Sequence, residues 1–211
     1  MFVGDEMFGK NQIQNMVREG VVSAVYPEKH SCRVTFPDRA GLVSAELPVL
    51  TFAAFKNTSY GLPDIDERVV VLMTSNDDSG HGGYIIGSLY TGENLPEEIG
   101  QDLTRLKFSD DMEIKYKRAN DEDKTSTFKI KMADDTQILY ECEGNKFEFN
   151  LKFCDGCEIS YNERAEFEIR FKDKSTITHD LQRGLEMDIK GEINISAKGD
   201  INMRGANIHL N

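Results

Sequence analysis

The 211-residue sequence contains no run of twenty apolar residues, so it offers no transmembrane helix. It also lacks a basic N-terminal segment followed by an apolar block, and we therefore expect synthesis in the cytoplasm without a signal peptide. Asp and Glu outnumber Lys and Arg by 37 to 25, which gives a formal net charge of -12. Nucleic acids and anionic lipids are bound through clustered basic side chains, so this charge argues against both as partners.

Cysteine is scarce, and only Cys154 and Cys157 form a C-x-x-C pair, a spacing that can serve zinc or redox chemistry. No second pair lies at zinc-ribbon distance, and no strand-then-helix pattern of the thioredoxin type surrounds the pair. Cytoplasmic thiols are normally reduced. We therefore predict structural roles, with Cys157 on an apolar strand face and Cys154 in a turn.

A catalytic constellation is also missing from the sequence. The four histidines are dispersed, and the acidic pairs fall in turn-like stretches: His30, His81, His179, His209, Asp77-Asp78, Asp110-Asp111 and Asp134-Asp135. Acid–base and nucleophilic catalysis need groups that meet in one place, which dispersed strand and turn residues do not indicate. We therefore expect a protein that is not an enzyme.

The first half of the chain is rich in strand signals. We predict an N-terminal arm over residues 1–18. Ile13, Met16 and Val17 have helical spacing, which is typical of a short amphipathic helix over Lys10–Glu19 or of an extended lead-in. Residues 19–92 then carry five strand signals separated by turn-forming residues, which predicts a small closed barrel. A segment rich in glycine, proline and acidic residues predicts a linker over 93–104.

The second half, residues 105–211, alternates apolar and polar residues with a period of two, and turns recur about every eight to ten residues. Each strand therefore has one dry face, and a single flat sheet would leave that face in water. Either one chain closes into a solenoid, or identical chains bring their dry faces together on a shared axis. The inward-facing side chains become smaller towards the C-terminus, which favours identical chains wound around a shared axis. The inward positions are Phe128, Ile130, Met132, Ile138, Tyr140, Cys142, Phe147, Phe149, Leu151, Ile159, Tyr161, Phe167, Ile169, Phe171, Leu185, Met187, Ile189, Ile193, Ile195, Ala197, Ile201 and Met203.

Four motifs in the first half occur in the order found in one protein family: Phe36-Pro37-Asp38, Leu47-Pro48-Val49, Leu62-Pro63-Asp64 and Gly87-Ser88-Leu89-Tyr90 followed by Gly92-Glu93-Asn94. From Glu19 to Pro96 the chain resembles the OB-fold domain of baseplate spike proteins from contractile-tailed phages, R-type bacteriocins and type VI secretion systems. One departure is that Ile65 or Asp66 stands where the family has a glycine.

The resemblance implies an all-β protein in which an OB-fold barrel precedes an intertwined trimeric β-helix, or β-prism, with an eight-residue repeat. LEMDIKGE, INISAKGD and INMRGANI fit that repeat, with Gly191, Gly199 or Asn207 at the tight corners. The implied function is a homotrimeric spike that sits on the baseplate hub and pierces the target envelope when the sheath contracts. The linker is too short for the lysozyme domain of some relatives. The alternative is a trimeric receptor- or carbohydrate-binding tail-fibre module.

His209 is the one candidate metal ligand. In some relatives a His-x-His near the tip points inward, and the six histidines of the trimer bind iron, whereas this chain has Ile208-His209-Leu210. Strand alternation turns His209 outward, but the eight-residue register of Ile193 and Ile201 turns it inward, where three imidazoles could bind one transition metal. We expect no other cofactor. The resemblance also allows a separate cone-shaped tip protein with proline-alanine-alanine-arginine (PAAR) repeats, or a bare end.

Overall fold

The computed structural model describes residues 16–74 and 82–206. The chain divides into two compact units between Glu97 and Glu98. The described residues form two antiparallel sheets with two short 3-10 turns, Pro27–Lys29 and Pro37–Arg39, which confirms the predicted all-β class.

The first unit contains strands β1 to β6 and closes on itself. β1 pairs with β2 and β5, β5 pairs with β6, and β2 pairs with β3 and β4. Val49, just after β4, bridges Ile85 of β6 in parallel, and the Leu50 amide donates to the Ile85 carbonyl at 2.8 Å. The ring β1-β2-β4-β6-β5 therefore has no free edge at this position. The bounds are β1 Val17–Tyr26, β2 Ser31–Phe36, β3 Leu42–Val43, β4 Leu47–Pro48, β5 Arg68–Met73 and β6 Gly83–Ser88.

The start of β1 decides between the two predictions for Lys10–Glu19, a short helix or an extended lead-in. Val17 to Glu19 belong to this strand and pair with β5, so these three residues are extended and not helical. The ladder with β5 overrides the local helical spacing because each added strand residue extends a cooperative set of backbone hydrogen bonds. Residues 10–15 lie outside the described residues.

The core of the first unit consists of nine buried apolar side chains, and alternate residues of β2 and β5 provide six of them: Val22, Cys32, Val34, Phe36, Leu47, Val69, Val71, Met73 and Ile85. Gly20 lies against this core. A Cβ at this position would collide with Val34 Cγ1 and would lie 2.9 Å from the Thr35 carbonyl oxygen. The close approach of β1 and β2 therefore requires glycine at position 20.

The Phe36-Pro37-Asp38 motif joins the core to the surface of the barrel. Phe36 is fully buried, and the Arg18 guanidinium lies 5.9 Å from its ring centroid. Asp38, in the 3-10 turn that Pro37 begins, forms an ion pair with Arg18 Nη1 at 3.4 Å. The motif thus places a cation over the ring and a carboxylate beside that cation.

The second unit is a meander of nine antiparallel strands, in which each strand pairs with the next one in the sequence. Residues 189–206 form no strand within one chain, although the alternation predicts strands around Ile193–Ala197 and Ile201–Met203. Strands need the paired backbone hydrogen bonds of a neighbouring strand. Within one chain no strand pairs with this described segment, although the Lys190 amide donates to Ser175 Oγ at 2.9 Å. The bounds are β7 Leu103–Lys107, β8 Glu113–Lys117, β9 Ser126–Lys131, β10 Gln137–Glu143, β11 Lys146–Lys152, β12 Glu158–Asn162, β13 Phe167–Arg170, β14 Thr176–Asp180 and β15 Gly184–Asp188.

Candidate functional site

The pairing register of the second sheet aligns side chains that are apolar, except for Thr104 and His179, into two continuous rows across all nine strands. Directly opposed residues of antiparallel strands lie on the same face, so the two rows share one face, which we call the apolar face. The aliphatic row is Leu106, Ile114, Ile130, Ile138, Leu151, Ile159, Ile169, Ile177 and Met187. The aromatic row is Thr104, Tyr116, Phe128, Tyr140, Phe149, Tyr161, Phe167, His179 and Leu185.

The apolar face is not covered within one chain. All nine buried apolar residues of the described chain belong to the first unit, and between residues 98 and 206 only Ser175 is buried. Phe128, Tyr140 and Tyr161 remain 38%, 39% and 41% exposed. Nine strands at normal spacing make a face about 40 Å long. An apolar surface of this extent marks an interaction site in a folded protein.

Aromatic contacts organise the middle of the apolar face. The Phe147 ring lies 6.2 Å from Tyr140 and 5.8 Å from Tyr161, measured between ring centroids. Such tilted and offset pairs fix ring orientations and add to the stability of the strand pairs that carry them. The face is therefore ordered before anything covers it.

The opposite face of the same sheet carries charges. Arg105 pairs with Glu113 at 2.7 Å, and Arg170 pairs with both Glu158 and Glu168 at 2.9 and 2.8 Å. The Arg105–Glu113 and Arg170–Glu158 pairs join neighbouring strands, whereas Arg170–Glu168 lies within β13, and the solvent-exposed Arg170 pairs each contribute little to stability. Their position shows which face of the sheet is suited to water.

Four hairpin turns at the same end of the strands share one hydrogen-bond pattern. In each turn an aspartate accepts a hydrogen bond from the backbone N–H two residues later, at 2.9 to 3.2 Å. The residue after the aspartate has a positive φ, between 66° and 91°. We call these four residues the turn aspartates: Asp110, Asp134, Asp155 and Asp173. The shared geometry fixes the register of four hairpins and keeps the apolar rows in line.

The turn hydrogen bonds also affect ionisation. The backbone N–H of Thr136 lowers the pKa of Asp134, that of Cys157 lowers the pKa of Asp155, and that of Ser175 lowers the pKa of Asp173. A hydrogen bond to the carboxylate favours its charged form. The acidic residues Asp110-Asp111 and Asp134-Asp135 thus lie in turns, as predicted. Within residues 16–74 and 82–206, no cluster of three or more His, Cys, Asp or Glu side chains is suited to hold a metal ion.

Cys154 lies in a turn, as predicted, whereas Cys157 immediately precedes β12 and is not within a strand. Cys154 is in a hairpin turn, where its amide donates to Thr136 Oγ1 at 3.3 Å, and the Cys157 carbonyl pairs with the Phe153 amide at the base of the same turn. All four thiols are free, and burial raises the pKa of Cys32.

The two histidines within the described residues, His30 and His179, belong to different units. His179 lies in the aromatic row opposite Phe167 and Leu185, a position that the sequence reasoning missed although period two runs from Ile177 to His179. His30 is in the barrel, 5.2 Å from the Tyr60 ring, and both of its ring nitrogens are buried without a hydrogen-bond partner. His81 and His209 lie outside the described residues, so the candidate apical metal ligand stays a prediction.

No helix in the described parts of the chain has the length and apolar character needed to cross a bilayer.

The chain is similar to a phage spike protein. Over 105 residues it is 24% identical to the protein named "Spike protein" of Escherichia phage P2, and this match covers 49% of the present chain and 47% of the phage protein. The alignment thus spans about half the length of the relative. No family model matches the sequence.

Proposed function

We propose that this protein is the structural, membrane-piercing spike of a contractile tail or tail-like injection particle. The observation that carries the proposal is the uncovered apolar face, which runs across nine strands and is backed by a charged face. Similarity to the phage P2 spike protein supports a role in the phage tail or baseplate. Three copies with their apolar faces turned to a common axis would form a triangular column with a dry interior and charged outer faces.

The barrel would form the base of this spike. Its closed strand order β1-β2-β4-β6-β5, with β4 and β6 connected in parallel, supports the OB-fold that the four sequence motifs indicate. In our proposal this domain, residues 19–92, sits on the baseplate hub, and the linker 93–104 leads into the column.

The C-terminal segment would form the narrow end of the column. Ile193, Ile195, Ile201 and Met203 are all more than half exposed in one chain, and residues 189–206 form no strand there. In the trimer the segments of three chains would pair with one another as the rungs of a β-helix, and Gly191 and Gly199 would permit the corners. A metal ion at His209 or a PAAR-repeat tip protein would complete the apex.

The mechanism is mechanical rather than catalytic. Sheath contraction drives the inner tube forward, and the narrow column concentrates that force on a small area of the target envelope. Three chains carry a formal charge of three times -12, or -36, which favours solubility and opposes adhesion to anionic surfaces during passage.

The decisive measurement is the mass in solution by light scattering. We expect three times 23.9 kDa, or 71.7 kDa, and a trimer that resists dissociation because its chains share one interior. Hydrogen exchange adds a local test, since the amides of residues 191–206 should be protected only in the trimer. A cooperatively folded monomer would refute the spike. Glycan affinity in the absence of tail parts would favour the fibre module, and hydrolysis of peptidoglycan would contradict a purely structural role.

A further inference from the structure

A second apolar feature lies in the barrel, far in sequence from the apolar face. Residues 51–59 form a small hairpin after β4, and its Phe52 and Phe55 side chains are 99% and 85% exposed. Two phenyl groups in full contact with water cost free energy unless a partner covers them. The hairpin is therefore a candidate contact surface.

The hairpin holds its phenyl groups outward by its own hydrogen bonds. Thr51 Oγ1 donates to the Ser59 carbonyl at 2.5 Å, the Ser59 amide donates to the Ala53 carbonyl at 2.9 Å, and the Ala53 amide donates to Ser59 Oγ at 3.1 Å. A bridge between Ala54 and Thr58 completes the turn. Because the loop is ordered before contact, little conformational entropy would be lost on binding.

The hairpin also has a distinctive charge. Lys56 at its tip is the only basic residue between Arg39 and Arg68, in a chain with a net charge of -12. The hairpin thus presents an apolar surface with one cation, and a partner of matching chemistry would be an apolar groove with acidic walls.

Such a groove occurs on the same barrel. It has a volume of about 490 Å³ and lies between the loop before β5 and the end of β6. Ile65 and Tyr90, which are 61% and 71% exposed, provide apolar surface, and the acidic walls are Asp64, Asp66 and Glu67. The loop is well anchored: the Glu67 side chain accepts from the Asp64 amide at 2.7 Å, and the Asp66 amide donates to the Val22 carbonyl at 2.9 Å.

We propose that the 51–59 hairpin of one copy docks into the Ile65–Tyr90 groove of a neighbouring copy. Phe55 covers the apolar floor, and Lys56 faces the three carboxylates. Each barrel carries both partners of the contact, so the interface is head-to-tail and closes into a ring under three-fold symmetry. The inference rests on the proposed trimer, because the shared column keeps the barrels at high effective concentration and makes a small contact sufficient.

The test uses the full chain with Phe55→Cys and Ile65→Cys, in a background where Cys142, Cys154 and Cys157 are serine. After mild oxidation with diamide, a denaturing gel without reductant should show covalent dimers and trimers. Each single variant, and the matched pair of Phe55→Cys with Val43→Cys at another exposed barrel site, should not form trimers. Lys56→Glu should reduce cross-linking severalfold, and adding Asp64→Lys should restore it.

Light scattering on the same samples separates the two proposals. A trimeric mass without cross-linked chains would overturn the hairpin–groove contact and leave the spike intact. A disulfide within one chain would also overturn the contact, because the hairpin would then fill its own groove. A monomeric mass would refute the spike and the contact together.

Discussion

Truncation of one aromatic residue on the apolar face tests whether three chains share a dry interior. Phe128 is 38% exposed in one chain. With about 200 Å² of surface for a phenylalanine side chain, roughly 75 Å² would be buried only on trimer formation. At about 25 cal/mol per Å² this area contributes about 2 kcal/mol per chain, or about 6 kcal/mol per trimer. Phe128→Ala should therefore raise the trimer dissociation constant by about 10⁴-fold.

The matched control is Lys129→Ala, the next residue on β9, whose side chain lies on the charged face. Sedimentation equilibrium over a range of concentrations should show dissociation of the Phe128→Ala protein where the control protein remains trimeric. If both variants dissociate alike, or if neither differs from the wild type, the apolar face is not the interface.

Two further predictions concern the stability of each unit. Gly20→Ala should lower the melting temperature of the barrel, since overpacking against Val34 costs about 1–3 kcal/mol. The control Gly87→Ala should change the melting temperature little, because there is open space around the Gly87 Cα. Equal shifts of the two melting temperatures in calorimetry would contradict the tight contact at Gly20. The second prediction concerns Asp134, Asp155 and Asp173, whose pKa values are lowered in the folded state. These carboxylates therefore stabilise the fold at pH values above the ordinary aspartate pKa. Their contribution is lost as the pH falls through the pKa values of the folded state. A triple Asp→Asn variant keeps the acceptor oxygens but does not titrate. Its free energy of unfolding, measured by denaturant titration, should fall less between about pH 5 and pH 2 than that of the wild type. Parallel curves of the unfolding free energy against pH would refute the role of the turn carboxylates.

The alternation of apolar and polar residues and the turn-forming residues in the sequence determined the all-β class of the fold. Alternation with a period of two predicts strands with one apolar face, because successive side chains of a strand point to opposite sides. The turn aspartates, three of which are followed by aspartate or glycine, residues that tolerate positive φ, likewise predict where the hairpins lie. Both signals depend on residues close in the chain, and a single sequence is sufficient to show them.

The exposed hairpin of the barrel is an example of what the sequence did not reveal. The segment TFAAF has the composition of a core strand, yet Phe52 and Phe55 point to solvent. Composition specifies that a side chain is apolar but not what covers it, since burial depends on elements distant in the sequence. The sequence alone also does not predict the acidic groove, because the end of β6 and the loop before β5 meet only in the folded barrel.

The sequence by itself determined an all-β chain with a barrel-like first half and a second half of short strands with one dry face. Only the tertiary structure decided that Val17–Glu19 extend β1, that nine strands pair in order, and that their mostly apolar residues align into two rows on one face. The physical reason is that register is a non-local property: a slip of one residue would turn every side chain of a strand to the other face. Alternation within each strand cannot choose among registers, whereas the turns and the ladder between strands can.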